Sequence, residues 1–251
     1  MGNEERPLVS IVTVSFQAEK TIERTIRSVL DQDYGHLQYS IIDGGSTDGT
    51  VEIARSFEKD FKEKGIRYSI ISEPDNGIYD AMNKGIGRSA GRFIGIINAD
   101  DWYEADAVST VINEYRKDPF DCCFSDIRMH MKGGRTFIKK ARVRKFTTSR
   151  DWNHPTMFVS SEIYKKFRYR CKNISDDMDL YFKIKKAGYR IRAINHVTAN
   201  FQMGGVSNRI PLREVVPRIR RRYEVYRSNG YSRAYIFECA AFEIIKYLLA
   251  R

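Results

Sequence analysis

The chain has 251 residues, of which 42% are hydrophobic, 30% charged and 12% aromatic, with only 6 prolines. That composition excludes disordered, collagen-like and low-complexity chains, and the length allows a core without disulfide or metal staples. The formal net charge is +11, yet residues 1–120 carry 14 Lys/Arg against 21 Asp/Glu, a net of −7, whereas residues 121–251 carry 29 against 11, a net of +18. A basic half can face nucleic acid, an anionic lipid surface or a phosphorylated substrate. An acidic half cradles phosphate poorly unless a cation intervenes. Cys122, Cys123, Cys171 and Cys239 form no C-x-x-C pair, so they read as free thiols in a reducing compartment rather than a zinc site. Met1 to Pro7 is charged and leads into a strand-like run, which argues against a signal peptide. No stretch reaches the ~18 uncharged apolar residues of a membrane span. A cytoplasmic chain is expected.

Leu8–Phe16 is short, apolar and β-branched, as in a buried parallel strand. Glu19–Leu30 puts Ile22, Ile26, Val29 and Leu30 on one helical face. Tyr39–Asp43 predicts a second strand, stopped by Gly44-Gly45, with Ser46 or Thr47 capping a helix from Thr50 to Lys62. Ile66–Ser72 predicts a third strand, followed by a turn at Glu73–Gly77 and a helix over Tyr79–Ile86. Arg92–Asn98 reads as a fourth strand, Ala105–Tyr115 as a helix and Asp121–Ile127 as a fifth strand. This alternation implies βαβ units in a mostly parallel sheet flanked by helices, an α/β fold. After residue 128 the rhythm breaks into a basic stretch (Lys139 to Arg150), a short strand (Thr156–Val159), a helix (Asp177–Ala187) and another short strand (Tyr189–Ile194). The last forty residues read as two helices split at Asn229-Gly230.

In open parallel sheets, ligands bind beyond the carboxyl ends of the strands. The residues that follow the strands are Ser15; Asp43; then Asp75, Asn76, Asp80, Asn83 and Lys84; and then Asn98, Asp100 and Asp101. These are acidic and amide side chains, with no Gly-rich phosphate loop among them. Such an edge suits a nucleotide whose phosphates are bridged by a hard divalent cation. Adjacent Asp100 and Asp101 repel each other unless a cation or water separates them, although either could instead cap the next helix. Asp43 also fits plain turn chemistry. Asp176, Asp177 and Asp179 open a helix, where the dipole favours them, and an ionised, positioned Asp there could accept a proton from a hydroxyl. His154 and His196 are weaker candidates, since a lone histidine is more often structural.

Together, SIVTVSFQAEKTIERTIRSVLDQDY (10–34), IIDGGSTDGT (41–50), EPDNGIYDAMNKGIGRSAGRFIGIINADDWY (73–103), HPTMFV (154–159), SDDMDLYFKIKKAGY (175–189) and FQMGGVSN (201–208) resemble the family 2 glycosyltransferases of GT-A fold. The likeness is to small bacterial enzymes of capsule, O-antigen and colanic-acid-type polysaccharide assembly. It implies a catalytic domain over 1–208, in which 8–128 binds the nucleotide-sugar and 129–208 the acceptor, followed by a basic amphipathic helical segment at 209–251. By position, Ser15, Asp43, Asp75, Asp80, Lys84, Asn98 and Asp100 would contact the donor. Asp100 and Asp101 would hold Mn²⁺ or Mg²⁺, and Asp177 would be the general base, with Asp176 beside it. His154, Gly204 and Gly205 would lie near the acceptor or in a loop by the site. Asn98 stands where many relatives have the first Asp of Asp-x-Asp, and Lys183 where relatives often carry Arg. The absence of a Gln-x-x-Arg-Trp motif favours one sugar per encounter.

The resemblance implies inverting transfer from a UDP-sugar to a glycan acceptor, carried on a polyprenyl diphosphate. Arg218, Arg220, Arg221 and Arg222, with an apolar stripe of Ile236, Phe237, Ala240, Ile244, Tyr247 and Leu248, could rest on an anionic membrane or pack on protein. A homo-oligomer is left open. The competing readings are a nucleotidyltransferase, for which SFQAEKTIE offers no triphosphate loop, and a non-catalytic scaffold or basic binding protein. Nucleic acid is not the expected partner, because the edge is acidic and no aromatic RNA-binding motif is present.

Overall fold

The computed structural model describes residues 6–131, 133–148, 150–172, 175–203 and 211–249. Gly204 and Gly205 lie outside the described residues. The first strand, β1 (Val9–Ser15), is buried at all seven positions. It runs parallel to both β2 (Leu37–Asp43) and β4 (Phe93–Asn98), and β2 in turn is parallel to β3 (Arg67–Ser72). Successive strand side chains point to opposite faces. Val9 and Ile11 therefore join one core with α1 (Ile22–Leu30) and α5 (Ala107–Lys117), while Val12 and Val14 join another with α4 (Ile78–Arg88). Covering both faces explains why β1 and β4 read as near-continuous apolar runs, whereas β3 at the sheet edge is only partly buried.

The expected helix over 50–62 is two helices, α2 (Thr50–Ser56) and α3 (Glu58–Glu63), which meet at Phe57. Phe57 is 4% exposed, so anchoring its ring in the core sets the break. Neither Ser46 nor Thr47 caps α2. The N-cap is Gly49, and Asp48 Oδ1 accepts from Thr50 N instead. Ser46 and Thr47 hold the strand-one loop: Ser46 Oγ accepts from Gln17 N at 2.8 Å and Thr47 Oγ1 from Gln17 Nε2 at 3.0 Å. Gln17 has φ +50, and these bonds hold it in that left-handed conformation.

Beyond β4 the sheet becomes mixed. Its order is β3-β2-β1-β4-β8-β6-β9-β5, where β5 is Trp102–Tyr103, β6 is Cys122–His130, β8 is Phe158–Ser160 and β9 is Ile191–Gln202; β7 (Thr136–Lys139) pairs with β6. Strand β8 is antiparallel to β4 and β6, whereas β9 runs parallel to β6. The basic stretch is thus preceded by a strand, β7, that periodicity did not reveal, and β9 is twelve residues long, well past the expected Tyr189–Ile194. Asp100 and Asp101 do not cap α5. They lead into β5, which pairs with β9 through Trp102↔Asn200 and Tyr103↔Ala199, and the α5 N-cap is Asp106.

Helices α6 (Ser161–Lys166) and α7 (Asp176–Lys186) precede β9, and α8 (Leu212–Ser228) and α9 (Tyr235–Leu249) follow it. The last two dock on the second core through Val225, Tyr226, Tyr235 and Cys239. The Tyr226 ring lies 4.9 Å from Phe182 of α7 and 4.3 Å from Tyr235. The buried face of α9 is therefore Tyr235, Cys239 and Glu243, spaced by four. The stripe inferred from sequence is offset from it, and Phe237, Ile244 and Leu248 are exposed. The arginine cluster also divides. Arg221 pairs with Glu214 and Arg222 with the buried Glu243 at 2.8 Å, while Arg220 stays outward.

Candidate active site

The parallel strands deliver Ser15, Asp43, Ser72 and Asn98 to one end of the sheet. Because β6 and β9 run the same way, Gln202 reaches that end too, and antiparallel β8 brings up the 3-10 turn His154–Thr156 just before it. Asp43 is 1% exposed. Its oxygens accept from Ser15 Oγ at 3.0 Å, Ser46 Oγ at 2.6 Å, Ser46 N at 2.8 Å, Gly45 N at 3.1 Å and Ser72 Oγ at 2.7 Å. Burial pushes this carboxyl up, but the bonds from Ser46, Ser72 and Ser15 outweigh it and hold it below its ordinary value. Asp43 thus ties three strand ends together.

Asp75 comes against that knot. A Cβ on Gly44 would lie 2.6 Å from Asp75 Oδ2 and 3.4 Å from the Phe16 ring, so glycine is needed for this approach. Asp75 Oδ1 accepts from Gly77 N and Asp80 Oδ2 from Asn76 N, which shapes the turn into α4. Lys84 braces the same turn through Glu73 at 3.0 Å and the Pro74 carbonyl at 3.1 Å. Phe16 is 64% exposed beside it. Sequence reasoning did not single this ring out; an aromatic directly after a buried strand was the available signal.

At the end of β4, Asp100 is half-buried and Asp101 fully buried. Asp101 Oδ1 accepts from Gln202 N at 3.1 Å, and its carbonyl accepts from Thr25 Oγ1 at 2.6 Å. Burial and the neighbouring Asp100 push the Asp101 carboxyl well above its usual range; burial also raises Asp100, against the pull of Arg24. Arg24 stacks 3.5 Å from the Trp102 centroid and donates to the Asp100 carbonyl at 3.0 Å. Asn98 Oδ1 is buried without a hydrogen-bond partner. A hard cation fits this corner, because Asp100 and Asn98 offer only oxygen donors and one of them is unsatisfied. Among the described residues no group of three His, Cys, Asp or Glu could hold a metal. The remaining ligands would be water or substrate phosphate, the usual manner for Mg²⁺.

The second cluster opens α7. Asp177 is partly exposed and Oδ1 accepts from Met178 N at 2.8 Å. Asp176, 2% exposed, accepts from Lys172 N at 2.7 Å. Asp179 is locked by Arg170 at 2.9 Å and Lys183 at 2.6 Å, so Lys183 serves as an internal partner. Tyr79 of α4 stacks on Tyr169 at 5.1 Å, and the Tyr169 hydroxyl lies 3.0 Å from His154 Nε2. Burial raises Tyr79 strongly, and the next influence is the charge of Asp177. Burial lowers His154 despite that same charge. Asp177 therefore stands among Tyr79, Tyr169 and His154, at the sheet end that carries Asn98 and Asp100. His196 is elsewhere, paired with Asp106 at 2.8 Å.

A mixed α/β sheet flanked by helices, with an acidic corner after the fourth strand, is the architecture of the nucleotide-sugar transferases. The family model described as glycosyl transferase family 2 matches residues 10–177, and the chain belongs to that family. It is 38% identical over 101 residues to the Bacillus subtilis protein TuaG, named for teichuronic acid biosynthesis, covering 40% of this chain and 39% of that one. It is 27% identical to the chondroitin synthase of Pasteurella multocida, covering 79% of this chain and 21% of the relative. A PGL/p-HBAD biosynthesis glycosyltransferase of Mycobacterium bovis is 27% identical over 85% of this chain and 84% of its own length. The chain thus spans well under half of the first two relatives. Staphylococcus aureus TarS, solved with UDP-GlcNAc, superposes with a TM-score of 0.71 at 14% identity, over 96% of this chain and 72% of that one. A Pyrobaculum calidifontis mannosyltransferase, solved with GDP-Man and Mn²⁺, gives 0.67 at 16% identity, over 98% and 74%. These likenesses establish the GT-A fold.

Proposed function

We propose that the chain transfers one sugar from a nucleoside diphosphate sugar, UDP-linked, to a hydroxyl of a lipid-linked glycan acceptor in bacterial surface polysaccharide assembly. The observation that carries this reading is the convergence of Asp100, with the unsatisfied Asn98 Oδ1, and Asp177 on one end of the sheet. The solved relatives with bound UDP-GlcNAc and GDP-Man support a donor of this class. Phe16 stacks on the base, and Asp43 and Asp75 shape the loops that flank it. Asp100, half-exposed, would be the direct metal ligand, with Asn98 beside it. Asp101, fully buried, fixes the backbone that presents Asp100. Mg²⁺ or Mn²⁺ held there would supply positive charge against the diphosphate.

Asp177 takes the proton of the acceptor hydroxyl while that oxygen bonds to the anomeric carbon. The bond to the diphosphate breaks on the opposite face, and its electron pair leaves with the nucleoside diphosphate. One displacement inverts the anomeric centre. Tyr79 and the Tyr169–His154 pair orient the carboxylate. The outward residues Leu212, Val216, Phe237, Ile244 and Leu248, with Arg213 and Arg220, rest on an anionic membrane surface.

Losing a positioned base typically costs ~10²–10⁴-fold in rate. Asp177→Asn is expected to lose turnover to that extent while a UDP-sugar with Mn²⁺ still raises its melting temperature, as a ligand specific to the folded state must. Asp100→Asn is expected to lose the metal-dependent part of that shift. If UDP-, GDP- and dTDP-sugars all leave the wild-type melting temperature unchanged with Mn²⁺ present, the donor assignment falls.

A further inference from the structure

A basic concavity beside β7 has no part in the chemistry above. It measures about 560 Å³ and is lined by Lys139, Lys140, Arg142, Arg144, Arg150 and Asp151. Its wall is a tied loop. Asp151, 3% exposed, accepts from Thr148 N at 2.9 Å through its carboxylate and from Arg142 N at 2.7 Å through its carbonyl. Ala141 N donates to Asp126 at 2.8 Å, and Lys139 Nζ donates to the Trp152 carbonyl at 3.1 Å. Lys185 of α7 donates to the Arg144 carbonyl at 2.5 Å, so this wall is fastened to the helix that Asp177 opens.

Of the five cations, Lys140 is paired with Asp126 at 2.7 Å, and Arg144 lies 3.5 Å from Asp151. The guanidinium groups of Arg142 and Arg150 have no hydrogen-bond or ion-pair partner among the described residues. Burial lowers the Lys139 ammonium to about 8, opposed by the charges of Asp151 and Asp177 and reinforced by those of Lys246 and Arg150. Like charges gathered against a fixed wall repel one another unless an anion sits between them. Guanidinium forks and an ammonium lining one concavity suit the oxygens of a phosphate.

We propose that this concavity binds the phosphate adjoining the accepting sugar, so that the acceptor is a glycan carried on a phosphate or diphosphate. The sugar then bridges from Arg142, Arg150 and Lys139 to the carboxylate of Asp177. Two phosphate-bearing substrates are thereby kept apart by opposite chemistry: the donor at an acidic corner through a cation, the acceptor at a basic one directly. The identification of the anion as the acceptor's rests on Asp177 being the base, whereas anion binding itself is independent of turnover.

The test is calorimetric titration of the full chain with inorganic pyrophosphate in EDTA, which disables any metal-bridged site. Wild type is expected to bind at one site. Arg142→Gln/Arg150→Gln is expected to weaken binding at least tenfold, and Arg150→Gln alone, at an exposed position, at least threefold. Lys59→Gln/Lys62→Gln, which removes equal charge from α3, and Asp100→Asn are expected to stay within twofold. No binding by wild type, equal loss in the α3 variant, loss in Asp100→Asn, or tighter binding of glucuronate than of pyrophosphate would each overturn the proposal. Asp177→Asn is expected to bind pyrophosphate normally while turnover is lost. If that variant keeps both, the transfer mechanism fails and the anion site stands.

Discussion

At Asp43 five donors, from the ends of β1 and β3 and from the turn after β2, meet one carboxylate that water barely reaches. Removing the acceptor leaves buried hydroxyl and N–H groups unmatched, at about 1–3 kcal/mol each. Asp43→Ala is therefore expected to lower stability by at least about 3 kcal/mol in urea unfolding. The pH dependence has a definite sign. The folded value is depressed, so this contribution is complete above the unfolded value of about 3.9 and is lost as pH falls from there through the lower folded value. Melting temperatures measured from pH 7 to pH 3 should fall more steeply for wild type than for Asp43→Asn; parallel curves would remove Asp43 from the account. The residue was visible in the sequence because D-G-G follows an apolar run. Its role was not, because Ser15 and Ser72 lie 28 and 29 positions away and only the folded sheet brings them in.

Helix α4 carries the turn that shapes the donor edge, and its distance from the sheet is set by a missing side chain. A Cβ on Gly85 would come 2.3 Å from Val12 Cγ1, whereas one on Gly87 would meet nothing within 4 Å. Overpacking costs about 1–3 kcal/mol, and Ala in place of Gly in a helix returns up to about 1 kcal/mol. Gly85→Ala should thus destabilise and weaken donor binding, since Asp80 moves with the helix, while Gly87→Ala should be neutral or stabilising. Matching effects at the two sites in chemical denaturation would contradict this packing. Legibility follows the same logic. The βαβ elements up to Asn98 were readable because β1, β2 and β4 are buried along nearly their whole length and the helices have one apolar face, while β3 is a partly buried edge strand. Strands β7 and β5 escaped notice because the first is mostly exposed and the second has two residues. The inward face of α9 was not readable, because Cys239 and the charged Glu243, not the larger apolar residues, face inward. The acidic corner and the α7 carboxylates were legible as clusters; their shared sheet end required the reversal at β8.

Across the whole molecule, the acidic first half supplies the acidic corner after β4, and the basic second half supplies the concavity and the outward face of α8 and α9. No helix among the described residues is long and apolar enough to cross a membrane. Exposed Phe237, at 76%, and Val216, at 73%, with Arg213 and Arg220 nearby, instead suit surface contact. Each Lys/Arg near an anionic surface contributes about 1 kcal/mol. The chain should co-sediment with phosphatidylglycerol vesicles and much less with phosphatidylcholine, and Phe237→Asp/Ile244→Asp should release it without shifting its melting temperature. Undiminished sedimentation of that variant would exclude this face as the contact.

The pairing of Trp102 with Asn200 and of Tyr103 with Ala199 has a consequence for biosynthesis. Domains emerge from the ribosome N-terminus first, at about 5–20 residues per second, so the acidic corner waits for nearly a hundred further residues before its flank closes and Gln202 secures Asp101. A chain halted between those points lacks the strand that flanks β5 and the amide that Asp101 accepts from, so its acidic corner stays unfinished until late in translation.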